Sequence, residues 1–253
     1  MIDTHCHLDF PHFDADREAV WRRALAVGVV GGVVPGVCLR DFGRVVALRA
    51  PGMWIALGLH PCFLAEHPPD ALAQLESRLL RDQPVAVGEI GLDHLLSAET
   101  HALQLGLLEG QLRLAERFRL PVLLHVRRAH DLVISVLRRL AFRHGGIVHA
   151  FGGSLQQAEA YIKMGFCLGI GGVVTYERSR RIRQVAAALP EECLVVESDA
   201  PDLTPAAHYG ERNEPAFLPE VVAVLAALRR TDPEQIRMVT SRNARRVLGL
   251  QGA

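Results

Sequence analysis

The nine residues Val85–Asp93, VAVGEIGLD, are apolar or glycine apart from Glu89 and the closing Asp93. A strand with one wet face alternates apolar and polar positions, whereas a strand of a parallel sheet is covered on both faces and carries apolar residues in succession. Residues 85–91 of this stretch read as a strand of the second kind with a carboxylate near its end. An ionised carboxylate buried without a partner is costly, so Glu89 requires a counterpart from elsewhere in the chain.

Working outward, short apolar or β-branched runs recur at 2–7, 29–36, 53–59, 85–91, 121–126, 146–151, 165–172 and 193–198. Between them, apolar residues repeat every three or four positions among Arg, Glu and Gln at 14–27, 39–50, 69–82, 98–118, 130–143, 154–163, 178–188 and 214–229, the period of a helix with one buried face. Eight strand–helix units in 253 residues predict an α/β protein, a (β/α)8 TIM barrel, with an open doubly wound sheet as the rival. A further helix over 233–247, with Pro233 in its first turn, is expected to cap the barrel. The expectation is one domain spanning 1–253, since closed α/β barrels reach this size undivided.

Composition narrows the function. Lysines plus arginines number 28 and acidic residues 28, so no basic sheath coats a polyanion and any such substrate must be gripped locally. Cys6, Cys38, Cys62, Cys167 and Cys193 are scattered and lack C-x-x-C spacing, which suits buried, reduced thiols in a cytoplasm. Of these only Cys62, just after His60-Pro61, is placed as a possible ligand. The longest apolar stretch, Val27–Val37, is too short for a membrane span and is broken by glycines and Pro35. Asp3, His5, His7 and Asp9 occupy the place of a signal-peptide apolar region. A soluble cytoplasmic protein is expected, with no obligate protein partner implied.

In a barrel of this kind chemistry gathers at the carboxyl ends of the strands. Those ends carry His5 and His7 in MIDTHCHLDF, His60 in LGLHP, Glu89, His125 in PVLLHVRR, His149 in GIVHAF and Asp199 in LVVESDAP. His5 and His7, two apart on a strand, face the same way. Each residue alone has an ordinary explanation: a hydrogen-bonded core histidine, or a carboxylate paired with an arginine. Together, imidazoles and carboxylates around one barrel mouth match the mixed N/O sets of zinc, manganese, nickel or iron. His5, His7 and Asp199 suffice for one ion and His125 with His149 for another, with Glu89 placed to bridge them. A carboxylated lysine bridge is not available, because the only lysine, Lys163, lies on the helix after the sixth strand. Paired ions would activate a water for hydrolysis.

The blocks DTHCHLDF, ALGLHP, VGEIGLD, LPVLLHVRRAHD, VHAFGGSLQQAEAYIKMGF, GIGGVVTY, ESDAPDL, RNEP and SRNARRVL, in this order, resemble the TatD-type metal-dependent deoxyribonucleases, a branch of the amidohydrolase superfamily of TIM barrels. The resemblance covers nearly the whole chain. It implies two divalent ions (zinc, magnesium or manganese), hydrolysis of phosphodiester bonds in DNA, often from a 3′ end, and a cytoplasmic nuclease. By the same resemblance His5, His7, Glu89, His125, His149 and Asp199 fall on metal positions, His60 is a substrate-side histidine, and Asp199 takes the proton of the attacking water. Three departures stand out: His94 where an aromatic residue commonly follows GEIGLD, Val126 after His125, and ESD in place of ETD. These resemble a subgroup described only as hydrolases, and they bear on the substrate more than on the chemistry.

Arg127 and Arg128 are the candidates to bind a substrate phosphate, since a guanidinium meets two oxygens at once. The run Glu177–Arg183, ERSRRIR, is a candidate funnel for a nucleic-acid backbone or simply a solvated helix start. Gly152-Gly153 and Gly171-Gly172 could bring backbone amides to an anion or merely form turns. Three functions remain open. They are a two-metal phosphodiesterase acting on DNA or a small phosphodiester, a relative cleaving an amide, ester or lactone, and a non-catalytic metal protein. A structural metal site is normally closed by four protein ligands, which disfavours the last.

Overall fold

Eight strands pair in parallel in the order of the sequence: β1 (Ile2–Asp3), β2 (Gly31–Pro35), β3 (Met53–Leu57), β4 (Ala86–Asp93), β5 (Val122–Arg127), β6 (Gly146–Val148), β7 (Phe166–Ile170) and β8 (Leu194–Val196). The helices are α1 (Arg17–Ala26), α2 (Phe42–Ala47), α3 (Ala71–Asp82), α4 (His101–Phe118), α5 (His130–Arg139), α6 (Leu155–Ile162), α7 (Arg180–Ala188), α8 (Leu218–Arg229) and α9 (Pro233–Leu248). This computed structural model describes residues 1–250; positions 251–253 of the expected domain lie outside the described residues.

The barrel, rather than the open sheet, follows from what joins β8 to β1. Thr4 N–H donates to the Val196 carbonyl (3.1 Å), Asp199 N–H to the His5 carbonyl (2.9 Å) and His7 N–H to the Ala200 carbonyl (2.8 Å). Ser198 adds its N–H and hydroxyl to the buried Asp3 carboxylate at 3.0 and 2.6 Å. These bonds also correct the first strand. Only Ile2–Asp3 forms regular ladder, against the expected 2–7, because the next N–H groups turn alternately to β8 through Thr4 and to β2 through Cys6 and the Val33 carbonyl (3.0 Å).

Inside the barrel each strand contributes one residue to a single apolar layer: Ile2, Val33, Ala56, Ala86, Leu123, Ile147, Cys167 and Val195. Ala244, Leu248 and Leu250 pack on the same layer, so α9 plugs one end of the barrel, as the expected cap. Asn243 fixes it by donating to the carbonyls of Glu191 (2.7 Å) and Leu194 (2.8 Å), next to β8. Side chains alternate along a strand, so two residues beyond the layer the interior receives His125, His149, Gly169 and Glu197. The apolar layer is thus a floor, and the chemistry stands on it.

Helix starts differ from the periodicity where tighter turns intervene. Leu39–Asp41, Ala98–Thr100 and Pro215–Phe217 are 3-10 turns ahead of α2, α4 and α8. Pro219 and Pro233 sit in the first turns of α8 and α9, where a missing N–H costs nothing. Ser154 and Gln157 form a capping box on α6.

Candidate metal centre

Glu89 lies at the middle of a cluster drawn from β4, β5 and the residues just beyond β1, β3, β6 and β8, and its two oxygens address different partners. Oε2 is 3.2 Å from His5 Nε2 and 3.5 Å from His7 Nε2. Oε1 is 3.1 Å from His125 Nδ1, 3.3 Å from His60 Nε2 and 3.7 Å from His149 Nε2. Asp199 divides likewise: Oδ1 lies 3.8 and 3.7 Å from His5 and His7, and Oδ2 3.9 Å from His149. The six expected ligands and His60 therefore meet in one place. Bonds of 2.0–2.2 Å to a tetrahedral ion separate neighbouring donors by about 3.3–3.6 Å, and the donor spacings here bracket that range. His5, His7 and Asp199 form one group able to hold a metal ion, and Glu89, His125 and His149 another.

The electrostatics suit cations. Burial would raise the Glu89 carboxyl, but His60, His5 and His125 around it hold it well below the usual carboxylate range. Burial and the stacked His149 ring push His5 down to about 4, leaving the neutral imidazole that coordination needs. Burial also opposes protonation of His7 and His149, yet Glu89 lifts His7 to about 9 and the carboxylates of Asp199 and Glu197 lift His149 to about 10. Two buried imidazoles that draw protons so strongly mark a pocket of negative potential. Burial raises Asp199 to about 6 despite His149 and His7.

The sequence profile described as TatD related DNase matches residues 2–249. The chain belongs to the TatD-related DNase family. It is 43% identical over 247 residues to the uncharacterized metal-dependent hydrolase YjjV of Escherichia coli K12, covering 96% of this chain and 95% of that protein. It is 34% identical over 259 residues to the 3'-5' ssDNA/RNA exonuclease TatD of Erwinia billingiae, covering 99% of each. The crystal structure of the E. coli YjjV TatD homologue superposes with a TM-score of 0.95 at 42% identity, over 99% of this chain and 98% of that one.

Within this TatD-type barrel the structure adds residues that sequence reasoning missed. Glu197, fully buried on the β8 side, accepts from His149 Nδ1 (3.0 Å) and from the Ala150 N–H (2.5 Å). Asp93 Oδ2 accepts from His125 Nε2 (3.1 Å), and its Oδ1 is held by the Leu95 N–H (2.9 Å). Carboxylates behind ligand histidines fix the ring and its tautomer, so each histidine turns its other nitrogen to Glu89. Their signal was present in ESD and GLD, two residues before Asp199 and four after Glu89. Gly169 makes room for this arrangement, because a Cβ there would lie 2.1 Å from Glu197 Oε2. His60 is constrained differently: the Cys62 N–H donates to its Nδ1 (3.1 Å), so its proton sits on Nε2, facing Glu89. Arg128, Ala150 and Asp199 follow β5, β6 and β8 with φ of 54°, 43° and 58°, backbone strain gathered at the mouth.

A cavity of about 1210 Å³ opens from His125, His149 and Asp199 across the ends of β5 to β7. Arg127 and Arg128, both exposed, line it with Arg181. Of the run 177–183 only Arg181 and Ile182 reach this wall; Arg183 is spent on the Val174 carbonyl (2.8 Å) and Arg178 lies over the Tyr176 ring. A Cβ on Gly153 would strike the Phe151 ring at 2.7 Å and one on Gly172 the Leu203 carbonyl at 2.1 Å, so close packing accounts for those two glycines. Cys62 corrects the expectation of five buried thiols: it is exposed, the other four are buried. No helix among the described residues is long and apolar enough to cross a membrane.

Proposed function

We propose that this chain is a metal-dependent phosphodiesterase, active on DNA or a small phosphodiester, whose residues 1–253 work as one hydrolase domain with two divalent cations (zinc, magnesium or manganese). The observation that carries the reading is the division of Glu89, one oxygen toward His5 and His7 and the other toward His125 and His149. His5, His7 and Asp199 would hold one ion, His125 and His149 the other, and Glu89 both. When bound, such a pair supplies an activated water and positive charge opposite the oxygens of the reacting phosphorus.

The chain's own groups do the rest. Asp199, with Oδ1 3.7 Å from His7 Nε2 and Oδ2 3.9 Å from His149 Nε2, accepts the proton of the attacking water. His60 presents Nε2–H beside Glu89 and donates to a substrate oxygen. Arg127 and Arg128 grip phosphate oxygens along the cavity, and Glu197 and Asp93 keep His149 and His125 aimed. The name of the Erwinia relative supports single-stranded nucleic acid cleaved from the 3′ end as the substrate. Five unpaired cysteines suit a reducing cytoplasm.

The test is the purified chain with magnesium, manganese or zinc against 3′-labelled single-stranded DNA, RNA, duplex DNA, a generic phosphodiester and a lactone. Metal-dependent release of nucleotides, lost in Arg127→Ala/Arg128→Ala, is expected. Lactone turnover indifferent to both arginines, with no phosphodiester cleaved under any ion, overturns the proposal.

A further inference from the structure

A second convergence of ligand atoms borders the His125 ring. His60, Cys62 and His125 each offer one atom within 4.8 Å of the others. Asp93 Oδ2 is 3.9 Å from Cys62 Sγ and 3.1 Å from His125 Nε2. Nothing in the proposed hydrolytic centre uses the thiol, and Cys62 is the only exposed cysteine.

We propose that Cys62, Asp93 and His125 Nε2, beside His60, form an inhibitory site for a thiophilic divalent cation such as zinc or cadmium that adjoins the hydrolytic centre and shares His125 with it. Thiolate with imidazole and carboxylate selects zinc-like ions over magnesium or manganese, which prefer oxygen. The Cys62 thiol proton and the His125 Nε2 proton pass to solvent when the ion binds. Arg127, 3.9 Å from Asp93 and exposed, is free to swing outward and relinquish the carboxylate. Inhibition follows from the sharing of residues. Asp93 aims His125 Nδ1 at Glu89, so a cation that captures Asp93 and His125 Nε2 withdraws support from the Glu89 cluster.

The experiment titrates cobalt(II) into chelator-treated full-length protein and counts bound ions by equilibrium dialysis. A thiolate-to-cobalt charge-transfer band in the near ultraviolet is expected only after the first equivalents are bound, with more cobalt per chain than in Cys62→Ser. Cys62→Ser should lack the band while keeping the weak visible cobalt spectrum of the first equivalents and its turnover with manganese. Zinc in excess should inhibit the unaltered protein, and Cys62→Ser should need at least about tenfold more zinc for the same inhibition. Absence of the band at every loading, the same band in Cys62→Ser, or equal zinc inhibition of both proteins overturns the proposal. The spectrum reads the thiolate directly, so it decides the site even if the phosphodiesterase reading fails.

Discussion

Gly169→Ala tests whether Glu197 is the fixed support of His149. The added methyl would lie 2.1 Å from Glu197 Oε2, 2.6 Å from its Cδ and 2.8 Å from Oε1. Ordinary contact begins near 3.4 Å, so the carboxylate must retreat by about 1.3 Å. It has nowhere cheap to go, being 0% exposed and holding both His149 Nδ1 and the Ala150 N–H through Oε1. Breaking a buried charged pair costs on the order of 3–5 kcal/mol, which for a chain of this size lowers Tm by roughly 6–20 °C at about 2–4 °C per kcal/mol. If His149 holds an ion as proposed, detaching its partner should also cut metal affinity or turnover by about 10–100-fold. The φ of Gly169 is not in the left-handed region, so backbone strain does not compete as an explanation. Thermal melts, metal titration and turnover would be measured for Gly169→Ala, Glu197→Ala and the double variant. Because Glu197→Ala empties the space the methyl needs, Gly169→Ala should add little in that background. A single variant with normal Tm and metal affinity, or a double variant showing the full sum of both losses, would refute the reasoning.

Other substitutions and pH separate the roles further. Glu89→Ala and Asp199→Ala should abolish metal-dependent hydrolysis with the barrel intact by circular dichroism; retained turnover at normal metal content would reject their assignment. His60→Ala should slow turnover more than it lowers metal content, and equal loss of both would place it among the ligands. Asp93→Ala should weaken metal binding by about 10–100-fold through His125, checked by competition with a chromophoric chelator. In chelator-treated protein His7 and His149 hold protons up to about 9 and about 10, above the ordinary imidazole value near 6.5. Raised folded-state values contribute stability that is complete below about pH 6.5 and drains away as pH rises through 9 to 10. Tm of that protein should therefore fall between pH 7 and 10, and bound metal, which needs neutral imidazoles, should flatten the slope; a flat profile without metal contradicts the arrangement.

The fold and the central donors were legible because burial constrains them locally. VAVGEIGLD and its counterparts are apolar in succession, which only a strand covered on both faces tolerates, and a His, Glu or Asp near the end of such a run stands out against its neighbours. Glu197 and Asp93 were not legible. Each sits near a residue already taken as a ligand, and nothing along the chain says that Glu197 reaches His149 on β6 or that Asp93 reaches His125 on β5. Gly169 was equally silent, since the carboxylate it makes room for belongs to another strand. Cys62 was read as buried because a thiol usually is, whereas the turn after His60 leaves it at the mouth. By itself the sequence determined which residues each strand turns toward the barrel axis, since alternation along a strand is a local property. Which of those residues touch was decided only by tertiary structure, because the distance between side chains of different strands depends on the stagger and closure of the whole barrel.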